Sequence, residues 1–306
     1  MTAAAGLGST LPEEAWKDVD CGLCGGTARD LRFRDGRFSI VTCRACGVTY
    51  VTPRLSDASL LESVYDEGYW RSTAAKDRGY TDYRADEGLY LRTFRRRLAI
   101  VRRHVARPGR VLDVGCAAGY FLRVMQGEGW GVTGIEPSDA IRPRAQELLG
   151  AERVRGGSLE DARLPAGSFD LVTLWDVLEH VPDPLRVLRE VRRVVAPGGR
   201  LVLETQNVKS AAARILGRRW QHYKHAEHLY HFDRRTIAAA LERAGFVVLE
   251  NRPWRAGKYV SLPFVAERAA RVHPVLGRLL APLRRLPEAA LYVNLLDEMI
   301  VVARPR

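Results

Sequence analysis

The sequence predicts an α/β protein: a mostly parallel sheet flanked by helices, with a small metal-stapled module in front of it. Three observations lead there. From residue 110 onward, short apolar runs alternate with helical patterns, which is how a chain builds a parallel sheet covered by helices. The first run, Arg110-Val-Leu-Asp-Val114, passes directly into a glycine loop at residues 115–119 and then into helix-forming residues 120–125, the opening of a nucleotide-binding βα unit. Ahead of it, four of the five cysteines stand in two matched pairs, Cys21 with Cys24 and Cys43 with Cys46.

The cysteine pairs come first in the chain. Two intervening residues let both thiolates of a knuckle face one ion, and Gly25 and Gly47 follow the pairs, permitting the turn that aims backbone N–H groups at sulfur. Residues 31–33 and 38–42 flank Asp35-Gly36 and read as a β-hairpin that returns the second knuckle beside the first. Two disulfides or a redox pair are the alternatives. The lack of a signal sequence in residues 1–16, which carry Glu13 and Glu14, makes a cytoplasmic location the default and disfavours disulfides. Two matched knuckles disfavour a redox pair. Structural Zn2+ on Cys21, Cys24, Cys43 and Cys46 is the reading, with every coordination position filled by protein.

Next, residues 56–107 predict helices, one of them long, with Leu91, Phe94, Leu98 and Val101 or Val105 on its apolar side. At the end of the first sheet strand, Asp113 precedes the glycine loop by two positions, and a carboxylate there suits a ligand with a positive amino group. Residues 130–136 form a second strand ending in Glu136, whose two oxygens can accept from the hydroxyls of a ribose. Residues 169–175 are an apolar strand expected at the sheet centre. Asp183 then caps a helix with Pro184 in its first turn and Leu185, Leu188, Val191 and Val195 on one face. Residues 200–205 make another strand after Pro197-Gly198-Gly199, and Asp233 caps helix 234–244, which Gly245 ends before strand 246–250. Residues 297–303 read as the last strand.

Four segments, Val111-Leu-Asp-Val-Gly-Cys-Ala-Ala-Gly119, Gly134-Ile-Glu-Pro-Ser138, Ser168-Phe-Asp-Leu-Val172 and Pro197-Gly-Gly-Arg-Leu-Val202, resemble the class I S-adenosylmethionine-dependent methyltransferases in order and spacing, over residues 108–253. The resemblance implies a Rossmann-like seven-stranded sheet with the last strand antiparallel, and S-adenosyl-L-methionine as cofactor. It places Asp113, Gly115, Cys116 and Gly119 at the methionine end, Glu136 on the ribose, Pro137 beside the adenine, and Ser158 and Leu159 at the adenine edge. Tyr83, Phe121 and Trp175 join the cofactor contacts. Two departures are Ala117, where many members carry glycine, and Ser158, where many carry aspartate. The chain then divides into a flexible N-terminus (1–17), the zinc ribbon (18–55), a helical cofactor cover (56–107) and the methyltransferase domain (108–306), with a helical insertion at 257–295.

Methyl transfer to a hydroxyl needs in-line alignment and a base. Of seven histidines, His180 ends Trp175-Asp-Val-Leu-Glu-His180, and His222, His225, His228 and His231 crowd residues 220–232. His180 and His228 are the candidate catalytic residues, with a structural cap as the competing role for His180; Tyr223 and Glu227 stand in reserve.

The net charge of +12 and pI near 9.8 invite a nucleic-acid reading. Only five residues are lysine, at 17, 76, 209, 224 and 258, and an arginine skew follows from composition, so a solvated helix face is preferred to an RNA patch. The resemblance points to a small-molecule or glycosylated acceptor, with O-methylation of a sugar, polysaccharide precursor or secondary metabolite. An RNA methyltransferase, or a cofactor-binding assembly module without catalysis, are the alternatives. No apolar run of about 18 residues is present, so no membrane-spanning helix is expected. Residues 259–290 are read as a lid, or else as an interfacial amphipathic segment.

Overall fold

The structure, a computed structural model, describes residues 12–56, 59–60, 67–71, 83–286 and 289–306. The flexible N-terminus and the helical cover expected from the sequence thus lie partly outside the described residues.

Five short strands open the chain: β1 (Trp16–Lys17), β2 (Arg29–Asp35), β3 (Phe38–Cys43), β4 (Thr49–Val51) and β5 (Arg54–Leu55). β2 and β3 make the hairpin expected around Asp35-Gly36, and Gly36 takes φ +57°, a conformation glycine enters without steric cost. Phe38, Ile40, Tyr50 and Val51 bury the inner face of this sheet.

The main sheet has seven strands: β6 (Arg110–Val114), β7 (Gly131–Ile135), β8 (Val154–Arg155), β9 (Phe169–Trp175), β10 (Val195–Gln206), β12 (Phe246–Arg252) and β15 (Glu298–Pro305). Their order is β12-β15-β10-β9-β6-β7-β8. β9 is central, pairs parallel with β6 and β10, and is nearly all buried, which is why its sequence is continuously apolar and lacks alternation. β15 enters antiparallel between β10 and β12. Between β10 and β12 lies β11 (Tyr230–His231), which leaves the main sheet and pairs with β4. β13 (Lys258–Ser261) and β14 (Ala290–Val293) form a separate antiparallel pair.

Helix Pro184–Val194 covers one sheet face. Asp183 accepts from the Arg186 N–H at 2.9 Å, as an N-cap should. Its buried stripe is Leu185, Leu188, Val191 and Val194. Val194, rather than the expected Val195, completes that face, because the helix ends there and Val195 opens β10. Helix Arg234–Arg243 begins with a capping box between Asp233 and Thr236.

Helix Glu87–His104 buries Leu98 and Val101 as expected, and it also buries Arg97. Its other arginines depart from the single solvated face read from sequence. The Arg92 and Arg96 guanidinium groups each lie 4.1 Å from a ring centroid, of Tyr259 and Tyr292 respectively, and Arg102 pairs with Glu128. Cation–π stacking therefore latches β13 and β14 to this helix. Among the described residues no helix is long and apolar enough to cross a membrane.

Candidate active site

The candidate groups gather at the carboxyl ends of β6, β7, β9 and β10, where an open α/β sheet binds its ligands. β6 delivers Asp113, 2 % exposed, whose Oδ1 accepts from Thr173 Oγ1 of β9 at 2.7 Å. The loop that follows is built on left-handed residues: Gly115 (φ +71°), Ala117 (φ +48°) and Gly119 (φ +80°). Glycine is required at two of them. A Cβ on Gly115 would strike Val177, and one on Gly119 would strike Leu149. Ala117 holds the third without that freedom. Cys116 is buried in the loop, and its N–H, like that of Gly115, bonds the Ile135 carbonyl.

β7 delivers Glu136, 4 % exposed. The Ala117 N–H donates to its Oε2 and the Ser138 N–H to its Oε1, both at 2.8 Å. Each oxygen keeps lone-pair capacity for a further donor, as recognition of a diol requires. Burial pushes Asp113 up to about 8 and Glu136 up to about 7; Thr173 lowers the first and the Ser138 and Ala117 N–H groups lower the second. Among the described residues no cation pairs with Asp113. Two buried carboxyls, one without a counter-charge and one with spare acceptor sites, fit a ligand that carries an ammonium group and a ribose.

Tyr83 stacks on Tyr120 at 5.7 Å and lies 4.3 Å from the Tyr90 ring, over Ala118 of the glycine loop. Trp70 joins this aromatic wall and donates to Ser138 Oγ at 2.9 Å. Phe121 is 1 % exposed and packs edge-on against Trp175 and Phe94. Its ring joins the core cluster on the buried face of the helix that follows the glycine loop. Trp175 is half-buried at the end of β9 and its Nε1 has no partner. Pro137 is exposed, Leu159 is buried, and the exposed Ser158 hydroxyl donates to Asp161 Oδ2 at 2.6 Å.

The histidines converge. His180 follows β9 and meets His228 edge-to-face, ring centroids 4.6 Å apart. His228 Nδ1 lies 2.8 Å from the His222 carbonyl oxygen. A carbonyl only accepts, so Nδ1 carries the proton and Nε2 the free lone pair. Burial holds His228 well below the usual imidazole range and His180 down to about 4. Glu179, His180 and His228 offer ligand atoms within 4.8 Å of one another, a set able to move a proton or hold a cation. The Leu229 and Tyr230 N–H groups both donate to the Glu179 carbonyl, tying the histidine loop to the end of β9. His231 is fully buried in β11 and His225 faces Asp35.

A charged clamp beside these groups escaped the sequence reading. Lys258 Nζ lies 2.7 Å from both Asp176 and Glu298 and 3.9 Å from Glu204. Arg97 grips Glu204 with two nitrogens and donates to the carbonyls of Arg255 and Gly257. The three carboxylates thus surround an ammonium group already. An isolated Glu204 within an apolar strand is the signal that marks the clamp.

In the N-terminal module, Cys21 and Cys46 sulfurs are 3.5 Å apart, as are those of Cys24 and Cys43, and all four lie within 4.8 Å of one another. None is in a disulfide. Tetrahedral Zn2+ with Zn–S of about 2.3 Å needs sulfur separations of about 3.8 Å, so the set fits. Burial pushes the Cys21 and Cys46 thiols up, while for Cys43 the Cys46 and Ala45 N–H groups and neighbouring thiols outweigh burial and bring it to about 7.

Over 145 residues the chain is 41% identical to a ubiquinone biosynthesis O-methyltransferase of Xanthomonas campestris pv. campestris (strain B100), covering 42% of this chain and 61% of that protein. Over 115 residues it is 40% identical to the enzyme of that name from Vibrio parahaemolyticus, covering 35% and 49%. The match therefore spans only about half to three fifths of these relatives. A chain from the Haloferax volcanii complex of the Trm112 methyltransferase activator shares the fold, with a TM-score of 0.50 at 17% identity over 72% of this chain and 93% of that one. Residues 83–251, more than half of the chain, match the family profile described as a methyltransferase domain, and the protein belongs to that family.

Proposed function

We propose that this protein is an S-adenosylmethionine-dependent methyltransferase that methylates a hydroxyl of a small molecule, with His228 as general base. The observation that carries the reading is the paired arrangement of Asp113 and Glu136 around a glycine loop. The relatives named as O-methyltransferases of ubiquinone biosynthesis support oxygen as the acceptor atom and a small molecule as substrate. A sugar, polysaccharide precursor or secondary metabolite remains the proposed class.

Asp113 would hold the cofactor's ammonium group, Glu136 its ribose, and Gly115, Cys116 and Gly119 would admit its chain. Pro137, Ser158 and Leu159 would border the adenine, with Tyr83 and Trp175 closing the wall. When bound, S-adenosylmethionine supplies an electrophilic methyl group. The protein's own work is alignment and proton removal. His228, neutral and with Nε2 unprotonated, accepts the hydroxyl proton; His180 packs its ring and Glu179 anchors its loop. The zinc ribbon would hold Zn2+ on Cys21, Cys24, Cys43 and Cys46 as a structural ion. The test is a screen of hydroxylated acceptors for S-adenosylhomocysteine formation, repeated with His228→Ala. Turnover that survives that substitution unchanged removes His228 from the mechanism.

A further inference from the structure

We propose that the four-cysteine module is the outer wall of the acceptor half-site, and that Asp35 is a positioning residue that sets the histidine loop, residues 220–232, through His225. The proposal rests on the reading of His228 as the base.

The contacts come from both knuckles and the hairpin between them. β4 pairs with β11 in register Tyr50 to Tyr230 and Thr49 to His231, and the Val51 N–H donates to the Leu229 carbonyl at 3.0 Å. One strand of the loop that carries His228 is therefore a strand of the module's sheet. In the first knuckle, Gly22 lies under the Tyr230 hydroxyl, with no room for a Cβ. That hydroxyl donates to the Pro182 carbonyl, which also accepts from Arg54 at 2.9 Å. The Leu23 carbonyl accepts from Arg243, and Gly47 of the second knuckle faces Arg235. At the hairpin tip, Asp35 Oδ2 is 3.4 Å from His225 Nε2, and the His225 ring packs against Phe33 and Phe38. Tyr223 meets Phe33 edge-on at 5.0 Å and His231 at 4.9 Å.

His225 is 3 % exposed and three residues from His228. Between them lies the turn in which the His228 N–H bonds the Lys224 carbonyl at 2.8 Å. His225 lies within that turn, so on this proposal the contacts that seat its ring also seat the turn and the His222 carbonyl that fixes the His228 tautomer. A metal that holds the knuckles together would thereby hold the base in place. By contrast, Asp113 and Glu136 lie at the ends of β6 and β7, in a different sheet from β4 and the hairpin, and their hydrogen bonds go to Thr173, Ala117 and Ser138. On this proposal the module's hydrogen bonds act on the acceptor half of the site, through β11 and the histidine loop.

The experiment uses the full chain loaded with Zn2+, and a Co2+-loaded sample for spectroscopy. Hydrogen exchange of residues 222–231 and calorimetry with S-adenosylhomocysteine are measured before and after chelation. Chelation is expected to speed exchange of the Leu229 and Tyr230 amides at least tenfold, while cofactor-product affinity stays within threefold. Asp35→Ala is expected to leave the cobalt–thiolate spectrum unchanged and to shift the His225 and His228 ring signals in NMR. Asp35→Asn, which keeps an acceptor for His225, is expected to move them back toward the wild type. Unchanged exchange after metal loss, unshifted ring signals in Asp35→Ala, or parallel loss of product affinity on chelation would overturn the proposal. The exchange and NMR arms need no cofactor, so failure of S-adenosylhomocysteine to bind the zinc-loaded wild type counts against the proposed function alone.

Discussion

Arg97 and Glu204 form a buried bidentate ion pair, with N–O distances of 2.9 and 2.7 Å and side chains 1 % and 2 % exposed. The pair joins helix Glu87–His104 to β10. Through the Arg255 and Gly257 carbonyls, Arg97 also grips the base of the segment that ends in Lys258. Removing one member of such a pair strands a buried charge and costs about 3–5 kcal/mol. Arg97→Ala and Glu204→Ala are each expected to lose that much in urea unfolding. Arg97→Met combined with Glu204→Leu is expected to lose less than the two single changes added together, because neither charge is then left alone.

Ala117 occupies a left-handed conformation, φ +48°, which costs an L-residue about 1–2 kcal/mol. Glycine removes that strain but adds unfolded-state entropy of about 0.5–1 kcal/mol. Ala117→Gly is therefore expected to stabilise the protein by up to about 1 kcal/mol, read from the midpoint of denaturant unfolding. The Ala117 N–H still reaches Glu136, so cofactor affinity should not fall.

Stability and cofactor binding should respond oppositely to pH. In the folded protein Asp113 is raised to about 8 and Glu136 to about 7, from ordinary values of 3.8 and 4.5. The stability tied to their protonated forms is fully present below the unfolded values and is lost as pH rises through about 7 and then about 8. Ligand-free protein should thus show a falling Tm between pH 5 and pH 8.5 by scanning calorimetry. S-adenosylmethionine affinity should rise over the same interval, because an ammonium group and ribose hydroxyls favour carboxylates. A flat affinity profile would count against both contacts.

His228 is held neutral well below the ordinary imidazole range by burial and by His180. The acid limb of kcat/KM for the acceptor should therefore lie below pH 6.5. His228→Ala should lower kcat by about 10² to 10⁴-fold and leave S-adenosylmethionine affinity unchanged in calorimetry.

Much of this site was legible in sequence because its groups sit at strand ends. Asp113 and Glu136 are terminal to apolar runs, and the left-handed loop between β6 and its helix declares itself through Gly115 and Gly119. The cysteine knuckles and the Asp183 and Asp233 caps are likewise local patterns. The clamp was hidden because its members are distant: Arg97 reaches Glu204 across 107 positions, and Lys258 reaches Asp176 across 82. In sequence, nothing sets Arg97 apart from Arg95 and Arg96 beside it. The pairing of β11 with β4 was invisible because two residues make no recognisable strand.

The central claim is that Asp113 and Glu136 hold S-adenosylmethionine. Titration calorimetry of S-adenosylmethionine into the wild type and into Glu136→Ala tests it most directly. The account predicts one site per chain in the wild type and an affinity at least tenfold weaker in Glu136→Ala, with the fold intact by circular dichroism. No binding to the wild type, or equal affinity in the variant, would contradict it.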